Sequence, residues 1–148
     1  MLTRLKYVSR FARPMSPADV QAIVEAAQRH NATIGVTGML LAFGEVFMQV
    51  IEGPTEAVRA LFGRIVADPR HRDVILIRSQ RVDRAIFAGW SMRLLELDAA
   101  ARREAGPLLV LIDAASRGGG RDADLLRDID DMTWRTLGER VVTLRPTG

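Results

Sequence analysis

The chain has 148 residues, 48% of them hydrophobic and 26% charged, which suits one globular domain with a real core. No run approaches the roughly 20 apolar residues of a membrane span, and the absence of cysteine removes disulfides, thiol catalysis and thiolate metal sites. The net charge of +3 and pI of about 10.4 come from scattered arginines, a solvated surface rather than a nucleic-acid footprint. The N-terminus enters a strand pattern directly, without a secretory hydrophobic region, so a cytoplasmic location is expected.

Residues 2–9 (LTRLKYVS) read as the first strand, with Leu5, Tyr7 and Ser9 on one face. After a loop with Pro14, Ser16-Pro17-Ala18-Asp19 starts a helix. Ser16 is a good N-cap, Pro17 fits the first helical position and Asp19 favours the positive helix end. Val20, Ile23, Val24 and Ala27 give its apolar stripe, which runs out at His30-Asn31. Ile34–Phe43 is expected as a buried strand, followed by a turn at Gly44-Glu45 and a second strand over Glu45–Gly53. Phe47, Gln49 and Ile51 share one face of that strand; Val46, Met48 and Val50 share the other. Gly53-Pro54-Thr55-Glu56 opens a second helix with Val58, Leu61, Phe62, Ile65 and Val66 as its apolar face and Asp68-Pro69 as its stop. Val74–Val82 and Ile86–Leu95 read as two more strands around Asp83-Arg84.

The order predicts an α+β fold, a ferredoxin-like βαββαββ sandwich with both helices on one sheet face. Val46, Met48 and Val50 on the other face need a cover. Two helix patterns can supply it: Asp98–Ala115, broken at Gly106-Pro107, and Asp122–Leu137, carrying Leu125, Leu126, Ile129, Met132 and Trp134. Gly118-Gly119-Gly120 joins them as a flexible turn and not as a phosphate loop, since it follows no strand. The chain is thus expected to divide into a domain over 1–95 and a helical extension over 96–148.

Tyr7 and Gln49 stand out as polar groups within apolar strand patterns. If both face the core, the buried amide must find partners or cost roughly 1–3 kcal/mol. A satisfied core pair explains them, and so does a polar relay aimed at a ligand. His30 and Asn31 end the first helix, Arg64 lies on the second, and Trp90-Ser91-Met92 lies on the last expected strand with Trp90 and Met92 on one face. Each has an ordinary explanation as a helix cap, a solvated arginine or core packing. Asp68-Pro69-Arg70-His71 is a poor metal site, because two histidines without clustered carboxylates make a weak ligand set. Capping and a helix-end ion pair explain it better.

Taken in order, these segments resemble the BLUF family of blue-light sensors using flavin. The resemblance covers residues 2–95. It rests on Tyr7-Val8-Ser9, on His30-Asn31 followed by Val36-Thr37-Gly38-Met39-Leu40-Leu41, and on Phe47-Met48-Gln49-Val50-Ile51-Glu52-Gly53. It continues through Ile65, Asp68, Arg70-His71 and Arg84-Ala85-Ile86-Phe87-Ala88-Gly89-Trp90-Ser91-Met92. The family often has Asn-Asn where this chain has His30-Asn31, a tolerated variant touching contacts to one flavin carbonyl.

The resemblance implies a noncovalent flavin, usually FAD with FMN an open alternative, held between the two helices. Its ring edge would meet Tyr7, Asn31 and Gln49, with Arg64 and His30 at the C2=O side. Ser9, Asp68 and His71 would join the site, and Ile23, Ile34, Val50 and Ile65 would supply apolar walls. In this family light makes the flavin a strong oxidant. Tyr7 gives up an electron, its proton passes through Gln49, and Gln49 is left rotated or tautomerised with a red-shifted spectrum. Trp90 and Met92 would sense the altered Gln49. No catalysis is implied. A stand-alone sensor is expected to signal to a separate downstream protein by a change of surface or assembly. A homodimer or larger ring is suggested by Trp134 and an apolar sheet face. Two rivals are weaker: an RNA-binding module needs solvent-facing aromatics on central strands, and a small hydrolase or flavin-dependent redox enzyme needs a nucleophile–base pair or nicotinamide site.

Overall fold

The computed structural model describes residues 1–43, 45–95, 97 and 99–143, the last seven of these (137–143) by backbone alone. Gly44 of the expected turn, Asp98 of the expected helix start and Glu96 of the expected extension lie outside the described residues, as does the side chain of Leu137. The elements are β1 (Leu2–Phe11), α1 (Pro17–Ile34), β2 (Thr37–Phe43), β3 (Val46–Pro54), α2 (Thr55–Ala67), β4 (His71–Val82), β5 (Arg93–Leu95), α3 (Ala99–Glu104), α4 (Gly106–Arg117) and α5 (Ala123–Thr143). One mixed sheet has the order β4-β1-β3-β2-β5, with β5 parallel to β2 and the other pairs antiparallel. This is the α+β ferredoxin-like sandwich the sequence predicts.

The two sheet faces carry separate cores. Leu5, Tyr7, Phe47 and Ile51 pack under α1 and α2 with Val24 and Val58. Val8, Val46, Met48 and Val50 pack under the C-terminal helices, against Ala105, Leu108, Ile112 and Ile129. The alternation of β3 is therefore as expected, and Val50 belongs to the layer away from Gln49 rather than to a ligand wall. The second sheet face is covered, and Trp134 is half-buried with the Lys6 ammonium 4.5 Å from its ring centre. This sheet face is therefore not an exposed apolar surface available for self-association.

Several boundaries differ from the sequence expectation. The Ser16–Asp19 capping box forms as read, but α1 continues through His30-Asn31 to Ile34. Gly35 ends it at φ +71°, a left-handed conformation that glycine adopts without strain, so Ile34 is helical and β2 begins only at Thr37. The last expected strand shrinks from Ile86–Leu95 to Arg93–Leu95. Residues 86–92 form a tethered loop instead, with Gly89 at φ +89°. Consequently Trp90 and Met92 do not share a strand face: Trp90 lies in the C-terminal layer and Met92 in the α1/α2 layer. β4 starts at His71 rather than Val74, and α5 runs past Gly138 to Thr143.

Candidate functional site

Antiparallel pairing sets Tyr7 directly opposite Gln49, with Leu40 flanking Gln49 on β2. Tyr7 is 1% and Gln49 7% exposed, so neither can rely on water. The Tyr7 hydroxyl donates to Gln49 Oε1, and Gln49 Nε2 donates to Met92 Sδ at 3.5 Å. The amide orientation thus has a strong partner on its oxygen side and a weak one on its nitrogen side. Burial, with the charge of Asp68 adding to it, pushes the Tyr7 phenol well above its ordinary 10.0. The phenol holds its proton and donates.

Above this pair a cavity of about 200 Å³ opens between α1 and α2. Gln49, Asn31, His30 and Arg64 bring polar groups to it, while Ile23, Leu61 and Ile65 form apolar walls. At the far margin stand Asp68, Arg70 and His71. Arg64 Nη1 donates to His30 Nε2 at 2.6 Å, bridging α2 to α1. Asn31 is buried and donates through Nδ2 to the Ser91 carbonyl at 2.8 Å. Asp68 accepts from Arg70 Nε at 3.0 Å, and that hydrogen bond holds its carboxyl below the usual range. The His71 imidazole is pulled below its ordinary 6.5 by burial, with the Asp68 charge opposing. A larger cleft of about 530 Å³ lies elsewhere, lined by Met15, Phe43, Leu95 and Arg102 among others. None of the candidate site residues read from the sequence line it.

Of those residues, Tyr7, Ile23, His30, Asn31, Gln49, Arg64, Ile65, Asp68 and His71 meet at the one cavity. Ser9 does not line it; its hydroxyl lies 2.7 Å from His71 Nδ1 and steadies that ring from behind. Met92 reaches the site through Gln49, whereas Trp90 faces the opposite layer and its buried indole N–H has no hydrogen-bond partner among the described residues. Ile34 is not part of the lining. Sequence reading missed Gln28, whose Nε2 donates to the Met92 carbonyl at 2.8 Å. Its place three residues before Asn31, on the same helical face, was the available signal. No group of three potential metal ligands exists among the described residues.

Residues 2–93 match the protein family described as BLUF, sensors of blue-light using FAD. The chain belongs to the BLUF family. It is 41% identical over 92 residues to the photoactivated adenylate cyclase subunit beta of Euglena longa, a match covering 62% of this chain and 11% of that protein. It therefore spans about a tenth of the length of that relative. The dark-state structure of BlrB, a BLUF protein, superposes with a TM-score of 0.67 at 31% identity, covering 97% of each chain. The photo-activated state of BlsA shares the fold, with a TM-score of 0.71 at 21% identity over 100% of each chain. This BLUF domain is a flavin-based blue-light sensor rather than a catalyst, and its cofactor is FAD. No described helix is long and apolar enough to cross a membrane.

The cavity residues fit a flavin ring. An isoalloxazine edge presents acceptors at N5, C4=O and C2=O and one donor at N3. Asn31 and Gln49 each carry both donor and acceptor groups, and His30 and Arg64 add further donors. At about 200 Å³ the cavity is smaller than the roughly 300–1,000 Å³ of most ligand sites. Its lining suits the flat ring part of such a cofactor.

Proposed function

We propose that Tyr7, Gln49 and Met92 form the light-operated relay of this sensor. In this reading Asn31, His30 and Arg64 hold the ring edge, Ile23 and Ile65 hold its faces, and Asp68 and His71 close the opposite margin, with Ser9 behind His71. The supporting observation is the unbroken run of hydrogen bonds from the Tyr7 hydroxyl through Gln49 to Met92. Bound FAD supplies light absorption and an excited state that accepts an electron from a nearby phenol. Tyr7 is the buried donor, and its proton already points at Gln49 Oε1. Oxidation makes a phenol strongly acidic, so the proton leaves along that bond. The electron and proton later return to Tyr7, and nothing is consumed.

Gln49 is the element that remembers the event. Turning its amide by half a revolution sets Nε2 against Tyr7 and Oε1 against Met92. A thioether cannot donate a hydrogen bond, so the turned oxygen must find a new partner and Met92 must shift. Met92 is continuous with Trp90 in the opposite layer, which gives the change a route across the sheet edge. Residues 96–148 then act as the transmitter, attached to a sensor domain of residues 1–95. The output is a changed surface read by an effector protein or by a second copy of this chain. FMN would serve the same ring contacts and lacks only the adenine half.

The test is a visible spectrum of FAD-loaded protein before, during and after blue light, paired with hydrogen exchange over α3–α5. The expected result is a small reversible red shift with altered protection in α5. A shift without altered protection would move the output to another surface, and no shift at all would end the relay reading.

A further inference from the structure

Glu52 lies three residues beyond Gln49 on β3, faces the C-terminal layer and is 0% exposed. It sits directly opposite Arg4 on β1, and Arg4 Nε donates to its Oε2 at 3.0 Å. Its other oxygen accepts the backbone N–H of Phe87. Arg4 reaches further, donating through Nη2 to the Arg84 carbonyl at 3.2 Å. One ion pair thus grips the segment 84–92 at two backbone points near its start. The segment's end is held separately. Gly38 N–H donates to the Trp90 carbonyl at 2.9 Å, and Asn31 and Gln28 each donate at 2.8 Å, to the carbonyls of Ser91 and Met92. Between the two anchors, Trp90 N–H closes a turn on the Phe87 carbonyl at 2.9 Å.

This segment crosses the sheet edge. Phe87 and Trp90, with ring centres 5.7 Å apart, belong to the C-terminal layer, while Met92 belongs to the Tyr7–Gln49 layer. A fully buried carboxylate is a costly way to hold a loop if stability is the only aim. Apolar pairs of similar volume often serve stability equally well or better. What an apolar pair lacks is a directed acceptor for Phe87 N–H.

We propose that the Arg4–Glu52 pair is a positioning element of the photoactive site, fixing segment 84–92 and through it holding Met92 against Gln49. Glu52 touches neither the cavity nor Gln49; it acts through Met92. The inference rests on the reading of Tyr7, Gln49 and Met92 as the relay. Without the clamp, Met92 leaves Gln49 Nε2 more often, and the barrier to the amide's return changes.

Two double variants separate positioning from plain stability. Arg4→Met/Glu52→Leu replaces the pair with apolar groups and removes the acceptor, whereas Arg4→Met/Glu52→Gln keeps an amide oxygen for Phe87. In flavin-free protein, amide exchange at Phe87 should speed up about tenfold in the leucine variant, the worth of one hydrogen bond, with the β1 and β3 amides unchanged. The glutamine variant should restore protection. In FAD-loaded protein, dark recovery should change in the leucine variant and return toward wild type with glutamine, at comparable melting temperatures. Recovery that follows melting temperature rather than the acceptor, or an unaltered Phe87 amide, overturns the proposal. A wild type with no red shift sinks the relay reading instead, and the flavin-free exchange still decides whether the clamp holds the loop.

Discussion

Lys6 and Tyr7 are neighbours on β1, face opposite layers, and are both almost wholly buried. On the C-terminal face, Lys6 pairs with Asp130 of α5, and Arg78 of β4 completes the group at 2.9 Å. Burial alone would raise the Asp130 carboxyl, but Lys6 and then Arg78 outweigh it and hold it below its ordinary 3.8. Burial pulls Lys6 below its ordinary 10.5, with Asp130 opposing. Every strong charge in that group meets an opposite one. On the α1/α2 face, Gln49 has one strong partner in Tyr7 and one weak partner in the Met92 sulfur. The contrast teaches what separates a lock from a switch within a single sheet. A polar group satisfied on all sides fixes its layer, whereas one satisfied on one side can be turned at small cost.

The switching side should fail completely when its amide is removed. Gln49→Leu leaves the core filled and the cavity walls intact, so FAD should still bind, but the light-driven red shift should vanish. The stranded Tyr7 hydroxyl should lower stability by about 1–3 kcal/mol, read by denaturant unfolding. A normal shift in this variant would reduce Gln49 to a structural amide. The locked side should respond in the opposite way. Asp130→Ala leaves Lys6 without its partner and should cost about 3 kcal/mol, with lost amide protection in α5. Its red shift should persist, because Lys6 and Asp130 do not line the cavity. Loss of the shift together with preserved α5 protection would erase the division between the faces.

The sequence carried the fold well where periodicity was clean. The alternation of β3 put Phe47, Gln49 and Ile51 on one face and Val46, Met48 and Val50 on the other, and the two layers follow it. The cavity set was legible for a related reason: Asn31, Gln49 and Arg64 sit at fixed phases of regular elements. Residues 86–92 were not legible. Ile86, Phe87 and Trp90 among them suit a strand, yet backbone groups of the segment are taken by side chains of β3 and α1 that lie far away in sequence. No local pattern reports such tethers. The same applies to Lys6, whose partner Asp130 is 124 positions away.

Smaller effects sharpen the comparison at its margins. His71 titrates below its ordinary 6.5 in the folded chain, so the unfolded chain takes up the proton first as pH falls. Its neutral form therefore favours folding fully above pH 6.5, and stability should decline as pH drops through 6.5 toward the lowered folded value. His71→Asn in flavin-free protein should flatten the melting temperature across that window; an unchanged slope would assign the titration elsewhere. Smallest of all should be Arg78→Ala. Its side chain is 55% exposed, so losing its contact with Asp130 should cost less than about 1 kcal/mol. A loss as large as that of Asp130→Ala would mean that Arg78, not Lys6, anchors α5.

Tyr7 is the donor on which the proposed relay depends, and one comparison tests that directly: the light-minus-dark visible spectrum of FAD-loaded wild type beside Tyr7→Phe. Phenylalanine fills the same space between Gln49 and Phe62 but has no transferable proton and is a far poorer electron donor. The prediction is a reversible red shift in wild type and none in Tyr7→Phe, at equal FAD content. A full, reversible shift in the phenylalanine variant would contradict it.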